Sequence, residues 1–183
     1  MAAACQSAVA HINWPSTIAR LLDDSGRVDV NGLLEAGKPN HIVVPLTFPI
    51  WPPHSGGQNR VFHLYSRIAQ FTPVTLLTLC NYEEPGFDGE ISPGLRELRI
   101  PKSKLHQQGE RAAEQVLKTS ISDLYAIEHM SETPAFMEAL KLLCKDADLV
   151  VASPPYLYPA IREVYRGNMY YEAHNVELDM KRD

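Results

Sequence analysis

Residues 41–79 read HIVVPLTFPIWPPHSGGQNRVFHLYSRIAQFTPVTLLTL. They contain two short apolar runs rich in β-branched side chains, separated by a glycine-bearing loop and a helical pattern. Residues 41–46 and 74–79 have the composition of strands buried on both faces. Between them the apolar residues recur at helical spacing, at Val61, Tyr65 and Ile68. A strand, a loop, a helix and a second strand in about forty residues predict a βαβ unit.

The same alternation continues to the end of the chain. Residues 81–94 are predicted to be a loop, because they carry three glycines and two prolines. Thr133 and Pro134 are predicted to be the N-cap and the first residue of a helix that reaches Leu143. Further strands are predicted at 95–100, 148–152 and 169–172, and further helices at 105–118 and 158–164. This order predicts an α/β fold, with a Rossmann-like parallel sheet and helices on both faces.

Composition limits the class of protein. The chain has 183 residues, 45% of them hydrophobic, with 17 basic and 22 acidic side chains and a net charge of −5. We expect residues 1–37 to be an N-terminal extension and residues 38–183 to be one domain. The acidic balance argues against a nucleic-acid partner. No signal peptide or transmembrane segment is visible, so we expect a cytoplasmic protein, either free in solution or peripheral to the membrane.

Common catalytic and metal-binding signatures are missing from the sequence. It has no P-loop, no GxGxxG, no GxSxG and no HExxH. Cys144, His174 and Asn175 follow the order found in one class of thiol protease, but Cys144 falls in a predicted amphipathic helix and core packing is the better interpretation. A metal site of His174, Glu177 and Asp179 matches no known spacing, so we expect no metal.

The first candidate site is the segment HSGGQNR, residues 54–60, between the first strand and the helix. Gly56 and Gly57 would let a ligand approach the backbone, and the helix start offers unpaired N–H groups to a diphosphate or another anion. The alternative is a tight turn that needs glycine because φ is positive.

The second candidate site is YEAHNVE, residues 171–177, which begins in the last predicted strand and continues beyond its end. His174 and Asn175 would stand at the carboxyl edge of the sheet, where a histidine can bind a ligand or transfer a proton. The alternative is that His174 caps the following helix.

Four segments together resemble the N-terminal half of GT-B glycosyltransferases, and most closely the group 1 (family 4) retaining enzymes that use nucleotide sugars. The resemblance covers roughly residues 39–183. Its segments, in order, are PPHSGGQNR (52–60), PVTLLTL (73–79), ADLVVASPPYLYP (147–159) and NMYYEAHNVE (168–177).

The resemblance implies roles for individual residues. Gly56 and Gly57 would lie beside the donor diphosphate, and Arg60 would hold that loop or meet the acceptor. His174 would be the catalytic histidine beside the transferred sugar, with Asn175 as a further substrate-binding residue. The donor would be a nucleotide sugar, and neither a metal nor another cofactor is expected.

The resemblance also implies a second, donor-binding domain that this sequence does not contain. We therefore expect the 183 residues to be inactive alone, and to need a C-terminal GT-B domain in the same protein or a partner chain. The alternatives are a non-catalytic subunit that binds an acceptor or acts as a scaffold, and an unrelated Rossmann-like domain that binds a phosphorylated ligand.

Overall fold

The structure is a computed structural model that describes residues 39–153 and 155–172. Its strands are β1 (Ile42–Leu46), β2 (Val74–Cys80), β3 (Phe87–Ser92), β4 (Leu95–Pro101), β5 (Leu149–Ala152) and β6 (Met169–Tyr171). Its α-helices are α1 (Gly56–Ile68), α2 (Lys104–Leu117), α3 (Ser122–His129), α4 (Pro134–Leu143) and α5 (Tyr158–Val164). Short 3₁₀ turns follow α3, at Met130–Glu132, and precede α5, at Pro155–Leu157.

The described strands form a six-stranded sheet in the order β3-β4-β2-β1-β5-β6. All neighbouring pairs are parallel except β3 and β4. Apart from β3, the chain fills one half of the sheet from β1 outward through β2 to β4, and then returns to build β5 and β6 on the other side of β1. This is the doubly wound Rossmann-like order, and it confirms the predicted α/β fold class. The point where the order reverses lies between β1 and β5.

Alternate side chains of the strands supply two separate hydrophobic cores. The core on one face joins strand residues to α1, through Val44, Leu46, Leu76, Leu95, Val61 and Tyr65. The core on the other face joins strand residues to α3, α4 and α5, through Val43, Leu77, Val150, Ala126, Phe136, Leu140 and Ile161. Burial on both faces explains why β1 and β2 are almost uninterrupted apolar runs.

The prediction that residues 81–94 form only a loop is wrong, and the strand found there makes the otherwise parallel sheet mixed. Residues 87–92 form β3, which pairs antiparallel with β4 at the edge of the sheet. Most of its residues are exposed or half-buried, so the strand has no apolar face to mark it in the sequence. Backbone pairing with β4 holds it instead, and Gly94 makes the turn between the two strands with a φ of +74°.

The other predicted elements agree with the structure to within a residue or two, and α3 is an additional helix that the sequence pattern does not predict. Pro134 is the first residue of α4, and Thr133 stands at its N-cap without a side-chain capping bond. The predicted N-terminal extension, residues 1–37, lies outside the described residues. No helix in the described part of the chain is both long and apolar enough to cross a membrane.

Candidate functional site

The first candidate segment, and the described beginning of the second, lie at the carboxyl ends of the strands near the reversal point of the sheet. The loop after β1 leads into α1 at Gly56, Ser153 follows β5, and Glu172 follows β6. In open doubly wound sheets this crevice is the usual place for a ligand.

A capping box fixes the start of α1. The Gln58 side chain accepts hydrogen bonds from the N–H groups of His54 and Ser55, both at 2.9 Å, and the Ser55 hydroxyl accepts from the Gln58 N–H at 3.3 Å. The Gln58 amide also donates to the carbonyl of Pro49, at 2.8 Å. These bonds from Gln58 hold the loop that leads into the two glycines in the absence of a ligand.

Gly56 and Gly57 occupy the first two positions of α1. Within the described residues the glycine with positive φ is Gly94, so the tight-turn alternative, which needs positive φ at the two loop glycines, is wrong. A Cβ atom built on Gly56 or on Gly57 would meet nothing within 4 Å. The first-turn N–H groups of a helix have no intrahelical acceptor and carry partial positive charge. The start of α1 therefore has no side chains on its first two residues, has free space around them and carries partial positive charge.

The carboxylate of Glu172 connects three elements at the crevice. Its Oε2 atom accepts hydrogen bonds from the hydroxyls of Tyr65 and Ser153, both at 2.8 Å. Its Oε1 atom lies 3.5 Å from Nε of Arg60. Arg60 and Tyr65 belong to α1 and Ser153 follows β5, so the end of β6 is tied to both neighbours.

The charge of Glu172 also affects Tyr65. Burial, together with the nearby carboxylate, raises the pKa of the Tyr65 hydroxyl well above its usual range. Tyr65 therefore remains a protonated donor at neutral pH, which keeps the Glu172 contact in place.

The structure brings some of the predicted site residues together but does not describe all of them. Arg60 lies beside Glu172, so the PPHSGGQNR segment contacts the described beginning of the YEAHNVE segment. His174 and Asn175 lie outside the described residues. Neither Glu172 nor Ser153 was among the predicted site residues, although Ser153 directly follows one predicted strand and Glu172 ends another, where polar side chains gather at the carboxyl edge.

A second carboxylate, the fully buried Glu97 of β4, holds the loop that precedes the glycines. It accepts from the N–H groups of Ile50, at 3.0 Å, and Trp51, at 2.9 Å, and from the Thr78 hydroxyl at 2.8 Å. The Arg99 guanidinium pairs with Glu97 at 3.0 Å and also donates to the carbonyl of Trp51.

A third polar cluster lies between α2 and its neighbours, away from the glycines. Lys102 and Glu110 form a buried ion pair, 2.5 Å between Nζ and Oε2, and the Ser122 hydroxyl donates to Glu110 at 2.7 Å. His106 is fully buried, with Nδ1 3.0 Å from the Thr133 hydroxyl. Burial and the positive charge of Lys102 lower the pKa of His106. These contacts fasten α2 to α3 and α4.

Cys144 is buried in the core next to α4, which confirms its packing role. Burial raises the pKa of its thiol to about 11, so the reactive thiolate is disfavoured at neutral pH. Within residues 39–153 and 155–172, no group of three or more histidine, cysteine or acidic residues is placed to hold a metal ion. The metal triad considered from sequence, His174 with Glu177 and Asp179, lies outside the described residues.

No protein-family model matches the chain, and no curated protein matches it. Among solved structures it is similar to a trehalose-6-phosphate synthase from E. coli bound with UDP-2-fluoro glucose, at 12% identity and a TM-score of 0.38, over 71% of this chain and 32% of that one. A sucrose-phosphate synthase from Thermosynechococcus elongatus aligns at 14% identity and a TM-score of 0.28, over 72% of this chain and 47% of that one. Another structure of that synthase aligns at 15% identity and a TM-score of 0.24, over 77% of this chain and 96% of that one. The chain spans less than half the length of the first two, and overall similarities this low carry no inference about activity.

Proposed function

We propose that this chain is the N-terminal domain of a GT-B glycosyltransferase, in which a sugar passes from a nucleotide sugar to a hydroxyl acceptor with retention of configuration and without a metal. The proposal rests on the residues of the candidate site and on the sequence resemblance. It includes a donor-binding domain, in the same protein or on a partner chain, and a cytoplasmic location.

One observation carries the proposal. At the reversal point of a doubly wound sheet, a helix begins with two glycines whose Cβ positions are open. The next two turns of that helix are joined to the end of β6, because Arg60 and Tyr65 both contact Glu172. A helix start without side chains suits a diphosphate, because backbone N–H groups can reach its oxygens directly. The end of β6, which these contacts connect to the helix, suits a residue that acts beside the diphosphate.

The residues of this chain would have separate tasks in the reaction. The N–H groups of Gly56 and Gly57 would stabilise negative charge on the departing diphosphate, and this is the electrostatic contribution expected of a preorganised site. Glu172 would hold the beginning of the segment that carries His174. His174 would orient the sugar or the acceptor hydroxyl, and Asn175 would add a hydrogen bond to the substrate. Arg60, through Glu172, would keep the two segments in register.

The direct test is a transfer assay on the protein that contains this chain, with UDP-glucose, GDP-mannose and ADP-glucose as donors. The anomeric configuration of the product, read by NMR, should equal that of the donor. A chelator should leave the rate unchanged. Inversion, or a strict need for a divalent ion, would contradict the corresponding part of the proposal.

His174→Ala tests the catalytic assignment in the same assay. Loss of one positioned charge-stabilising or proton-transfer group should lower turnover about 100-fold, with the melting temperature little changed. His41→Ala is the matched control, since His41 directly precedes β1 at the amino edge of the sheet, opposite the proposed site, and it should retain activity. A His174 variant that melts early but turns over normally would instead assign this histidine to helix capping.

A further inference from the structure

The loop before the glycines presents one exposed aromatic ring on a rigid backbone. Trp51 is 40% exposed, while its neighbour Ile50 is fully buried in the core. Burying Ile50 explains why the loop is anchored at that residue. It does not explain why an indole is kept at the surface immediately after the anchor.

The backbone of Trp51 is held on both sides by buried charged groups. Its N–H donates to Glu97 at 2.9 Å, and its carbonyl accepts from Arg99. The side chain of Glu97 is fully buried and that of Arg99 is 16% exposed. A buried carboxylate is costly unless it is paired and hydrogen-bonded, and here two of its hydrogen bonds come from this short loop, at Ile50 and Trp51. The position of the indole is therefore fixed in advance, which lowers the entropic cost of binding a ligand on it.

The surroundings of the ring combine aromatic and polar groups. Trp51 packs against Phe62 of α1, with ring centroids 5.1 Å apart. The His63 ring meets the edge of Phe62 at 5.3 Å, and the Arg99 guanidinium lies over the ring of Phe87 at 5.4 Å. Binding sites for small molecules commonly have this make-up, aromatic surface with a few placed polar groups.

We propose that Trp51 is the stacking platform of a carbohydrate-binding site, with a pyranose ring lying against the indole. The C–H face of a pyranose is polarised positively and matches the negative face of an aromatic ring. The hydroxyls at the rim of the sugar would find hydrogen-bonding partners in the polar groups beside the loop. The Gln58 amide of α1 donates a hydrogen bond to the carbonyl of Pro49 in this loop. The sugar would therefore lie next to the proposed diphosphate site at the start of α1.

A sugar fits these observations better than a lipid surface. The apolar area around Trp51 consists of a few rings bordered by Arg99 and His63, and membrane-binding surfaces are usually broader or strongly basic. The chain as a whole carries a net charge of −5, which disfavours anionic lipid. Assigning the bound sugar as the acceptor of transfer rests on the function proposed above, whereas the binding itself does not.

The experiment uses the chain with Trp14→Phe, because Trp14 and Trp51 are its two tryptophans and Trp51 then supplies all of the indole emission. Methyl glycosides of glucose, mannose, galactose and N-acetylglucosamine are titrated without any nucleotide. We expect at least one to shift the emission saturably, with a dissociation constant on the order of 1–10 mM. Saturation-transfer NMR on the same sugar should show its C–H protons in contact with the protein.

Trp51→Ala should weaken binding at least about tenfold in the NMR experiment, and Trp51→Phe should retain part of it, since a flat ring remains. Phe71→Ala is the matched control: Phe71 is a 68% exposed aromatic residue at the other end of α1, and its loss should leave binding unchanged. Thermal melting of each variant shows that it is folded.

The proposal is overturned if none of the four sugars produces a saturable shift, or if Trp51→Ala binds as well as the parent. It is also overturned if phosphatidylglycerol vesicles shift the emission and the sugars do not. Sugar binding in a protein that transfers nothing from any nucleotide sugar would support this site and count against the glycosyltransferase.

Discussion

Two pairs of glycines in this chain lack a side chain for different reasons. At Gly94 a Cβ atom would stand 2.5 Å from the carbonyl oxygen of Ala69, on a backbone with φ of +74°, and at Gly109 it would collide with the Tyr125 hydroxyl. At Gly56 and Gly57 it would meet nothing within 4 Å, and φ is not positive at either residue. The fold explains the first pair. No contact in the described residues requires glycine at the second pair, and the diphosphate proposed above would account for both positions.

Gly94→Ala should have the largest effect on stability. Alanine would have to adopt a left-handed backbone and push against the backbone of Ala69, which no side-chain rotation relieves. We expect a loss of about 3 kcal/mol in the free energy of unfolding, measured by urea denaturation. A loss below about 0.5 kcal/mol, within the range of ordinary surface substitutions, would mean that the turn between β3 and β4 is not as described.

Gly109→Ala should cost less, because the colliding atom is the end of a side chain that can move. Displacing the Tyr125 hydroxyl breaks its bond to Glu132, at 3.1 Å, and disturbs its stacking on His129, at 4.1 Å between centroids. Overpacking and the gain in helix propensity partly offset each other, leaving a net loss of about 1–2 kcal/mol.

A second variant checks the cause of that loss. In a Tyr125→Phe background the colliding hydroxyl is gone, so Gly109→Ala should cost measurably less than in the parent chain. Equal costs in both backgrounds would show that α3 does not approach α2 at Gly109.

The packing around Gly109 should also depend on pH through His106. Its ring is fully buried among Lys102, Glu110, Thr133 and Tyr125, with Glu132 and His129 nearby. Because its pKa is lower in the folded protein than in the unfolded chain, the unfolded chain binds more protons over the interval between the two values. The free energy of unfolding should therefore have its full value above about pH 6.5. Below that pH it should fall, by less than about 1.4 kcal/mol per pH unit.

Denaturation curves between pH 5 and pH 8 would measure this dependence. His106→Gln, whose side chain cannot be protonated in that range, should reduce the slope. An unchanged slope would assign the pH dependence to other groups.

Gly57→Ala should have the smallest effect on stability of the four changes. Nothing opposes the methyl group, and alanine is the better helix former, so the free energy of unfolding should stay constant or rise by up to about 1 kcal/mol. Affinity for a nucleoside diphosphate should nevertheless fall about tenfold in isothermal titration, because the methyl group covers the N–H groups of the first turn. A variant that binds as tightly as the parent would remove the ligand explanation for this pair of glycines.

How much of this could be predicted from sequence depends on how each element is stabilised. The β1–α1–β2 unit follows from its pattern, because buried parallel strands need near-continuous apolar runs and α1 places Val61 and Tyr65 on one face. β3 could not be predicted in this way, since an exposed edge strand is held by backbone bonds that leave no periodic signal.

In the candidate site, too, features with a local sequence pattern can be predicted, whereas contacts between distant residues cannot. The open glycines and the loop that carries them stand out in the sequence, as do the polar residues after β6. The contacts that organise them join residues far apart along the chain, Glu97 with Trp51 and Glu172 with Tyr65. A single glutamate after or within a strand gives no indication of its partners, so these pairs become visible only in three dimensions.

The most direct measurement is an NMR titration of the chain labelled with ¹⁵N-glycine, since its 10 glycines give few and well-separated amide signals. Adding pyrophosphate, and separately UDP, should shift the amides of Gly56 and Gly57 saturably. The amides of Gly94 and Gly109 should stay in place. Unmoved signals from Gly56 and Gly57, or equal shifts at all four glycines, would contradict the assignment of this helix start as the diphosphate site.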